Sequence, residues 1–416
     1  MDIKITPSKL SGTVKIPPSK SAAHRLIISA ALAKGTSIIT NLYPSADILA
    51  TIDCMKALGA KIEFKGDTAT VTGIKQTPKK AVLDCHESGS TLRFLIPVAC
   101  ALGVECTFIG SGKLPQRPIT PYIDQFPKHG IEFDFSEAKK GEFLPCSIKG
   151  KLTSGKFEID GGISSQFITG LLFALSILDG DSKIVLTSHL ESRPYVDITV
   201  DCLKSFGGEI LETEMSYKIK GNQQLSAKNA QVEGDYSQSA FFYVADSLGS
   251  DIEVSGLNEK SFQGDKKIIE ICKEIVYNKN DMLNPFKLDC SDIPDLVPIL
   301  TVLATFCSGI SEITNVSRLR IKESDRLEAI SSCLNKIGGK VTACTDKLII
   351  EGVKELKGGE VNSYNDHRIA MAMAVAATRC TKPLIIKDAN CVSKSYPNFW
   401  EDYKALGGKI DVINME

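Results

Sequence analysis

The chain repeats itself about six times, and no other feature limits its fold as strongly. One series runs as an apolar helix, a short glycine-containing break and a β-rich segment. Its helices are predicted to open near Lys20, Ser90, Ser164, Ser237, Pro294 and Asp366, with strands at 37–40, 106–109, 183–186, 251–254, 311–314 and 383–386. A second series interleaves with the first: an amphipathic helix that ends in glycine, then another strand. Its copies end at Gly59, Gly207-Gly208, Gly338-Gly339 and Gly407-Gly408, with a weaker copy at Gly130 and one, at 271–277, that has lost its glycine. A glycine there suits the left-handed residue that closes a helix. In the copy before Gly338, Leu327, Ile330, Leu334 and Ile337 fall on one helical face. The first series is apolar all round, as in Ile168-Thr169-Gly170-Leu171-Leu172-Phe173, so it is expected inside, with the amphipathic series outside.

Each repeat therefore holds two helices and about four strands, which makes the chain α/β. Six such units are too many for one core, and 416 residues are enough for two domains of three units each. A break near Gly234 falls midway, and the first strand, at 3–5, is expected to complete a sheet in the other half.

Aligning the repeats brings their helix starts into register. The first series begins with Lys20-Ser21 and Arg25, Ser88-Gly89-Ser90, Ser164-Ser165-Gln166, Asp295, and Asp366-His367-Arg368. The second begins with Arg117-Pro118, Ser192-Arg193-Pro194, Lys322-Glu323-Ser324-Asp325-Arg326 and Lys394-Ser395. A helix N-terminus already carries positive partial charge and free N–H donors, so cations there are out of place unless an anion is held. Guanidinium forks match carboxylate and phosphate oxygens. The implied ligands are small and multiply anionic.

The net charge of −1 gives no global basic field, which argues against nucleic acid. No apolar run is long enough for a membrane span, and the first residues show no leader pattern. Thirteen scattered cysteines without a Cys-x-x-Cys pair point to reduced thiols in a cytoplasm. The five histidines lack metal-ligand spacing, so no metal is expected. No G-x-G-x-x-G follows a strand, and Gly110-Ser111-Gly112-Lys113 lacks the rest of a phosphate loop, so no cofactor is expected either.

Across Lys20 to Pro397 these segments resemble the 5-enolpyruvylshikimate-3-phosphate (EPSP) synthase family. The matching stretches are Ser19-Lys20-Ser21-x-x-His24-Arg25, Ser88-Gly89-Ser90-Thr91-x-Arg93, Leu114-Pro115-x-Arg117-Pro118, Ser164-Ser165-Gln166, Ser192-Arg193-Pro194-Tyr195, Asp292-Ile293-Pro294-Asp295, Lys322-Glu323-Ser324-Asp325-Arg326, Asn365-Asp366-His367-Arg368 and Lys394-Ser395-Tyr396-Pro397. The resemblance implies two similar domains, each of three βαβαββ units in an inverted α/β barrel-like arrangement, hinged around a central cleft. The first domain would be 1–18 plus 235–416 and the second 19–234. It also implies transfer of the enolpyruvyl group of phosphoenolpyruvate to the 5-hydroxyl of shikimate 3-phosphate, with release of phosphate, by a monomeric enzyme.

By the same resemblance, Asp295 is the base at the 5-hydroxyl. Glu323 exchanges protons with the methylene carbon, and Lys20 reaches both substrates. Shikimate 3-phosphate would contact Lys20, Ser21, Arg25, Ser164, Ser165, Gln166, Ser192, Asp295 and Lys322. Phosphoenolpyruvate would contact Lys20, Gly89, Arg117, Gln166, Arg326, Arg368 and Lys394. Gly89 would also leave room for glyphosate. Where many members carry Asn, this chain has Glu87 and Arg318, and no role is carried over to either. The related UDP-N-acetylglucosamine enolpyruvyl transferases use Lys-Asn in the first motif and a reactive cysteine on a loop. Here Ser21 follows Lys20, and no cysteine lies between Cys106 and Cys146. A non-catalytic phosphometabolite-binding protein would not need Lys20, Asp295 and Glu323 together.

Overall fold

The computed structural model describes residues 1–275 and 282–414. Its helices are α1 Lys20–Leu32, α2 Ala46–Ala57, α3 Gly89–Leu102, α4 Thr120–Gln125, α5 Ser165–Leu175, α6 Arg193–Ser205, α7 Tyr236–Ser247, α8 Ile268–Glu274, α9 Val297–Thr305, α10 Arg326–Lys336, α11 His367–Ala377 and α12 Phe399–Ala405. Odd-numbered helices are the apolar series, and even-numbered helices are the amphipathic one. α11 is buried at every residue, and α3 and α5 are buried almost throughout. In α10 the face read from the sequence points inward: Leu327, Ile330 and Leu334 are buried, as is Ile337 just beyond its end.

The strands form five four-stranded sheets and, among the described residues, one two-stranded sheet. The four-stranded sheets share one plan, seen clearly around α3. Lys80–Asp84 runs into α3, and the helix returns the chain as the parallel strand Glu105–Ile109. A parallel pair needs such a crossover. Cys146–Gly150 then adds antiparallel to Glu105–Ile109, and Ile131–Asp134 closes the sheet.

The chain divides into two compact units. One is continuous, Pro18–Glu233; the other is discontinuous, Met1–Pro17 with Gly234–Glu416. Strands far apart in sequence close each one. In the discontinuous unit Asp2–Thr6 lies between Leu384–Lys387 and Lys409–Asn414, and Ser11–Lys15 runs parallel to Asp251–Ser255. In the continuous unit Ala230–Gln231 pairs with Thr36–Thr40. Each unit has its own core, with Leu92, Leu95, Phe167 and Leu171 in one and Leu300, Leu303, Ile369 and Met373 in the other. Each such side chain contributes roughly 1.5–3 kcal/mol on burial. α3 and α5 approach so closely that a Cβ on Gly170 would stand 2.3 Å from the Arg93 carbonyl oxygen. Only glycine fits there.

Several details depart from the sequence reading. Arg117 follows the 3₁₀ turn Leu114–Gln116 and α4 opens only at Thr120, while Lys394 ends the 3₁₀ turn Ala389–Lys394 and α12 opens only at Phe399. Pro383 lies outside its strand, which begins at Leu384, because proline has no N–H for the ladder. Pro294 opens a short 3₁₀ turn, Pro294–Leu296, before α9 starts at Val297. The repeat that lost its glycine holds no hairpin among the described residues, and positions 276–277 of that copy lie outside them. All thirteen cysteines are free thiols, and most are buried. Among the described residues no helix is long and apolar enough to cross a membrane, and no group of His, Cys, Asp and Glu could hold a metal ion.

Candidate active site

In the discontinuous unit four helix starts bring their charged residues together. Asp366 caps α11 by accepting the Arg368 N–H at 2.9 Å, which fixes its carboxylate at the helix end. Arg326, the first residue of α10, is turned inward and its side chain is only 2 % exposed. Its Nε donates to Asp366 Oδ2 at 2.8 Å, its Nη1 to Asp295 Oδ1 at 3.1 Å and its Nη2 to Glu323 Oε2 at 2.7 Å. One guanidinium thus organises three carboxylates from three segments. Ser324 Oγ adds a bond to Asp366 Oδ2 at 3.0 Å.

Arg368 grips the same aspartate from the other side. Its Nη2 donates to Asp295 Oδ2 at 2.7 Å and to Ser237 Oγ at 3.0 Å, and its Nη1 to the Asp295 carbonyl oxygen at 3.1 Å. Ser237 is held in turn by Asp235, the cap of α7, whose Oδ1 accepts the Ser237 hydroxyl at 2.6 Å. Burial alone would push the Asp295 carboxyl up. Arg368, Arg326 and Lys322 outweigh it and hold Asp295 well below the usual carboxylate range. Asp366, fully buried where Asp295 is partly exposed, is likewise lowered, chiefly by Arg326. Arg326 answers in kind: burial disfavours its charge, but Asp366, Glu323 and Asp295 raise its pKa further. Lys322 sits half-buried at the end of the 3₁₀ turn Ser317–Ile321, and Lys394 donates to the Asn365 carbonyl at 2.9 Å. Arg318, buried, donates through Nη2 to the Ser291 carbonyl oxygen in the segment that leads to Asp295.

In the continuous unit the helix starts are arranged differently. Ser19 caps α1, accepting the Ala22 N–H, and Lys20 opens the helix with its Nζ 2.8 Å from Asp47 Oδ2. Ser21 follows, half-buried, and its carbonyl accepts from Arg25 Nη1 at 2.7 Å. Arg25 is buried, and its other bonds go to Thr199 Oγ1 at 2.7 Å, the Tyr195 carbonyl at 2.7 Å and Thr169 Oγ1 at 3.4 Å. It thereby ties α1 to the start of α6. There Ser192, at the cap position, adopts a left-handed backbone (φ 57°, ψ 37°). A non-glycine residue in that region costs on the order of 1 kcal/mol, and such strain collects at functional sites.

Ser164 caps α5, accepting the Gln166 N–H at 3.3 Å, with Ser165 as the first helical residue. The Gln166 side chain is clamped from both ends: Arg93 Nη1 donates to its Oε1 at 2.8 Å, and its Nε2 donates to Ser90 Oγ at 3.0 Å. Gly89 opens α3 under the buried Arg117 guanidinium. A Cβ on Gly89 would come within 2.5 Å of Arg117 Nη1. Glycine is what lets this arginine lie against the helix start. Behind these groups runs a buried chain. His24 Nδ1 is 2.8 Å from Thr51 Oγ1, which is 2.7 Å from Thr91 Oγ1, which donates to Ser88 Oγ at 2.7 Å. Burial, with Lys20 and Arg25 nearby, holds His24 well below its ordinary pKa, so the imidazole is neutral.

The structure thus gathers Asp295, Glu323, Arg326 and Arg368 into one network, with Lys322 close by. It sets Lys20, Ser21, Gly89, Arg117, Ser164, Ser165, Gln166 and Ser192 at helix starts of the other unit, with Arg25 just inside α1. Sequence reasoning missed Asp47, the partner of Lys20, and the Asp235–Ser237 support under Arg368. An acid in the first turn of α2 and a capping Asp before α7 were the only signals for them, and both are ordinary helix starts.

Comparisons with known proteins agree with one another. The sequence model of the family described as EPSP synthase (3-phosphoshikimate 1-carboxyvinyltransferase) matches residues 5–403. The 3-phosphoshikimate 1-carboxyvinyltransferase of Clostridium beijerinckii is 47 % identical over 435 residues, covering 100 % of this chain and 99 % of that protein. The enzyme of the same name from Clostridium kluyveri is 49 % identical over 423 residues, 98 % of each chain. A solved structure of EPSP synthase from Acinetobacter baumannii superposes with a TM-score of 0.81 at 25 % identity, over 99 % of this chain and 100 % of that one.

Proposed function

The chain belongs to the EPSP synthase (3-phosphoshikimate 1-carboxyvinyltransferase) family, and from that premise we propose that the two clusters of helix starts carry its catalytic and binding groups. The enzyme transfers the enolpyruvyl group of phosphoenolpyruvate to the 5-hydroxyl of shikimate 3-phosphate and releases phosphate, a step towards the aromatic amino acids. Its two substrates each bear a carboxylate and a phosphate. Bringing them together requires dense, oriented positive charge, and an acid and a base beside it.

The observation that carries the residue assignment is the network at Arg326, where two carboxylates with partly exposed side chains, Asp295 and Glu323, are held on cationic forks. Asp295 takes the proton of the 5-hydroxyl as the hydroxyl oxygen attacks C2 of the enol phosphate. Glu323 delivers a proton to the methylene carbon, giving a tetrahedral intermediate, and takes one back as phosphate leaves. Arg326, Arg368, Lys394 and Arg117 bind phosphoenolpyruvate, with Gly89 and Gln166 beside it. Ser21, Arg25, Ser164, Ser165, Gln166, Ser192 and Lys322 serve shikimate 3-phosphate, and Lys20 serves both. Arg25 acts from behind: its bonds to the Ser21 and Tyr195 carbonyls set the turns that present Ser21 and Ser192. Free buried cysteines support a reducing cytoplasm.

A coupled phosphate assay on the pure protein tests the reading. Phosphate appears only when shikimate 3-phosphate and phosphoenolpyruvate are both present. Release with UDP-N-acetylglucosamine but not with shikimate 3-phosphate would overturn it.

A further inference from the structure

Asp295 is placed awkwardly for a base. Its two carboxylate oxygens are split between two guanidinium groups, Oδ1 on Arg326 Nη1 at 3.1 Å and Oδ2 on Arg368 Nη2 at 2.7 Å. Those are the positions a ligand carboxylate would take on a pair of arginine forks. Nε and Nη2 of Arg326 are committed to Asp366 and Glu323. A ligand carboxylate that bridges the two guanidinium groups through these same nitrogens takes the place of the Asp295 carboxylate.

The main chain at Asp295 is fixed independently of its side chain. Arg368 Nη1 holds the Asp295 carbonyl at 3.1 Å, and the residue lies in the tight turn Pro294–Leu296 that leads into α9. Arg368 itself stays anchored by Ser237. An exchange of carboxylates can thus move one side chain and leave the scaffold in place.

We propose that Asp295 is an internal competitor for the carboxylate of the enolpyruvyl donor, so that the donor's carboxylate, by taking its place on Arg326 and Arg368, releases Asp295 to act as the base. This rests on the functional reading above and adds a specificity rule to it. The donor needs its carboxylate for turnover as well as for affinity. An anion that lacks the carboxylate leaves Asp295 clamped between two cations, where it accepts a proton poorly. The competition also weakens donor binding, because part of the donor's interaction energy goes into displacing Asp295.

Calorimetry on the full-length protein loaded with 5-deoxyshikimate 3-phosphate, which lacks the hydroxyl that reacts, tests the competition. Asp295→Asn keeps the shape and removes the competing charge. Phosphoenolpyruvate binds this variant on the order of tenfold more tightly than wild type, while the affinity for inorganic phosphate is unchanged. Unchanged or weaker phosphoenolpyruvate binding overturns the proposal, and so does an equal gain for inorganic phosphate, which would mean a general charge effect. A second measurement uses the wild-type protein and does not depend on the variant folding. Vinyl phosphate, a donor without the carboxylate, is turned over at least a hundredfold more slowly than phosphoenolpyruvate at saturation, and added formate or acetate speeds it by supplying the missing anion. Turnover that formate and acetate leave unchanged overturns the release step. Wild-type protein that neither binds phosphoenolpyruvate nor releases phosphate from it would sink the functional reading instead, so the two failures are distinguishable.

Discussion

Arg25 and Arg326 are both buried guanidinium groups close to helix starts, one in each unit, and their partners differ in kind. Arg25 is surrounded by hydroxyls and carbonyl oxygens. With no carboxylate to offset it, burial brings its pKa down to about 10. Arg326 is surrounded by Asp366, Glu323 and Asp295, and its pKa rises despite complete burial. The same contrast runs through the neighbours. Gln166 is clamped by Arg93 and Ser90, and His24 is neutral, whereas Arg368 holds Asp295 directly. One repeat architecture thus carries arginines held mainly by neutral oxygens in the continuous unit and a carboxylate–arginine network in the discontinuous one. The first arrangement suits holding an anion, and the second suits moving protons.

The sharpest way to break this division is at Glu323. Glu323→Gln keeps the bond-accepting oxygen and removes the proton. Turnover falls on the order of 10³-fold or more, while shikimate 3-phosphate binds within about threefold of wild type by calorimetry. Equal losses in both would make Glu323 a binding residue and erase the contrast. Next in size is Gly89→Ala in the continuous unit. The new Cβ displaces the Arg117 guanidinium, whose Nη1 lies 2.5 Å away, with little need for backbone movement. KM for phosphoenolpyruvate rises roughly ten- to a hundredfold, and kcat falls much less. A loss confined to kcat would contradict the assignment of Arg117 to binding.

Arg25→Lys probes the arginine held by neutral oxygens. It leaves Thr199 and the Tyr195 carbonyl short of a donor, and urea unfolding shows a loss of about 1–3 kcal/mol. An unchanged midpoint would show that Arg25 does not tie α1 to α6. The smallest effect separates the units by pH. The pKa of His24 is depressed in the folded state, so its contribution is fully present above its ordinary value of 6.5 and is lost as pH falls through the lower, folded value. Asp295 and Asp366 are also depressed, from an ordinary 3.8, so their contribution persists until the medium is far more acidic. Hydrogen exchange between pH 7 and 5 should therefore loosen α1 before α11, with a slope of at most about 1.4 kcal/mol per pH unit, and His24→Asn should flatten it. Protection lost first in α11 would reverse the comparison.

Much of the molecule was written in the order of its residues. The alternation of apolar and amphipathic helices is a matter of side-chain periodicity, so α1 to α12 could be placed from the repeats with few errors. The glycines at 59, 207, 338 and 407 all stand at positive φ after their helices, where only glycine is free of strain. The motifs at Lys20, Gly89, Ser164, Ser192, Lys322 and Asp366 were legible because chemistry placed unusual residues at helix starts, where local rules do not call for them. What the order could not supply was pairing. That Asp295 sits between Arg326 and Arg368, that Asp47 meets Lys20, and that Ala230–Gln231 pairs with Thr36–Thr40 are contacts between residues distant in the chain. Local sequence carries no term for such contacts. They arise when packing removes water from charged groups and each must find an opposite charge or a hydrogen bond. Sequence determined which charges the repeats carry and at which helix ends; the tertiary structure alone decided which of them neutralise one another.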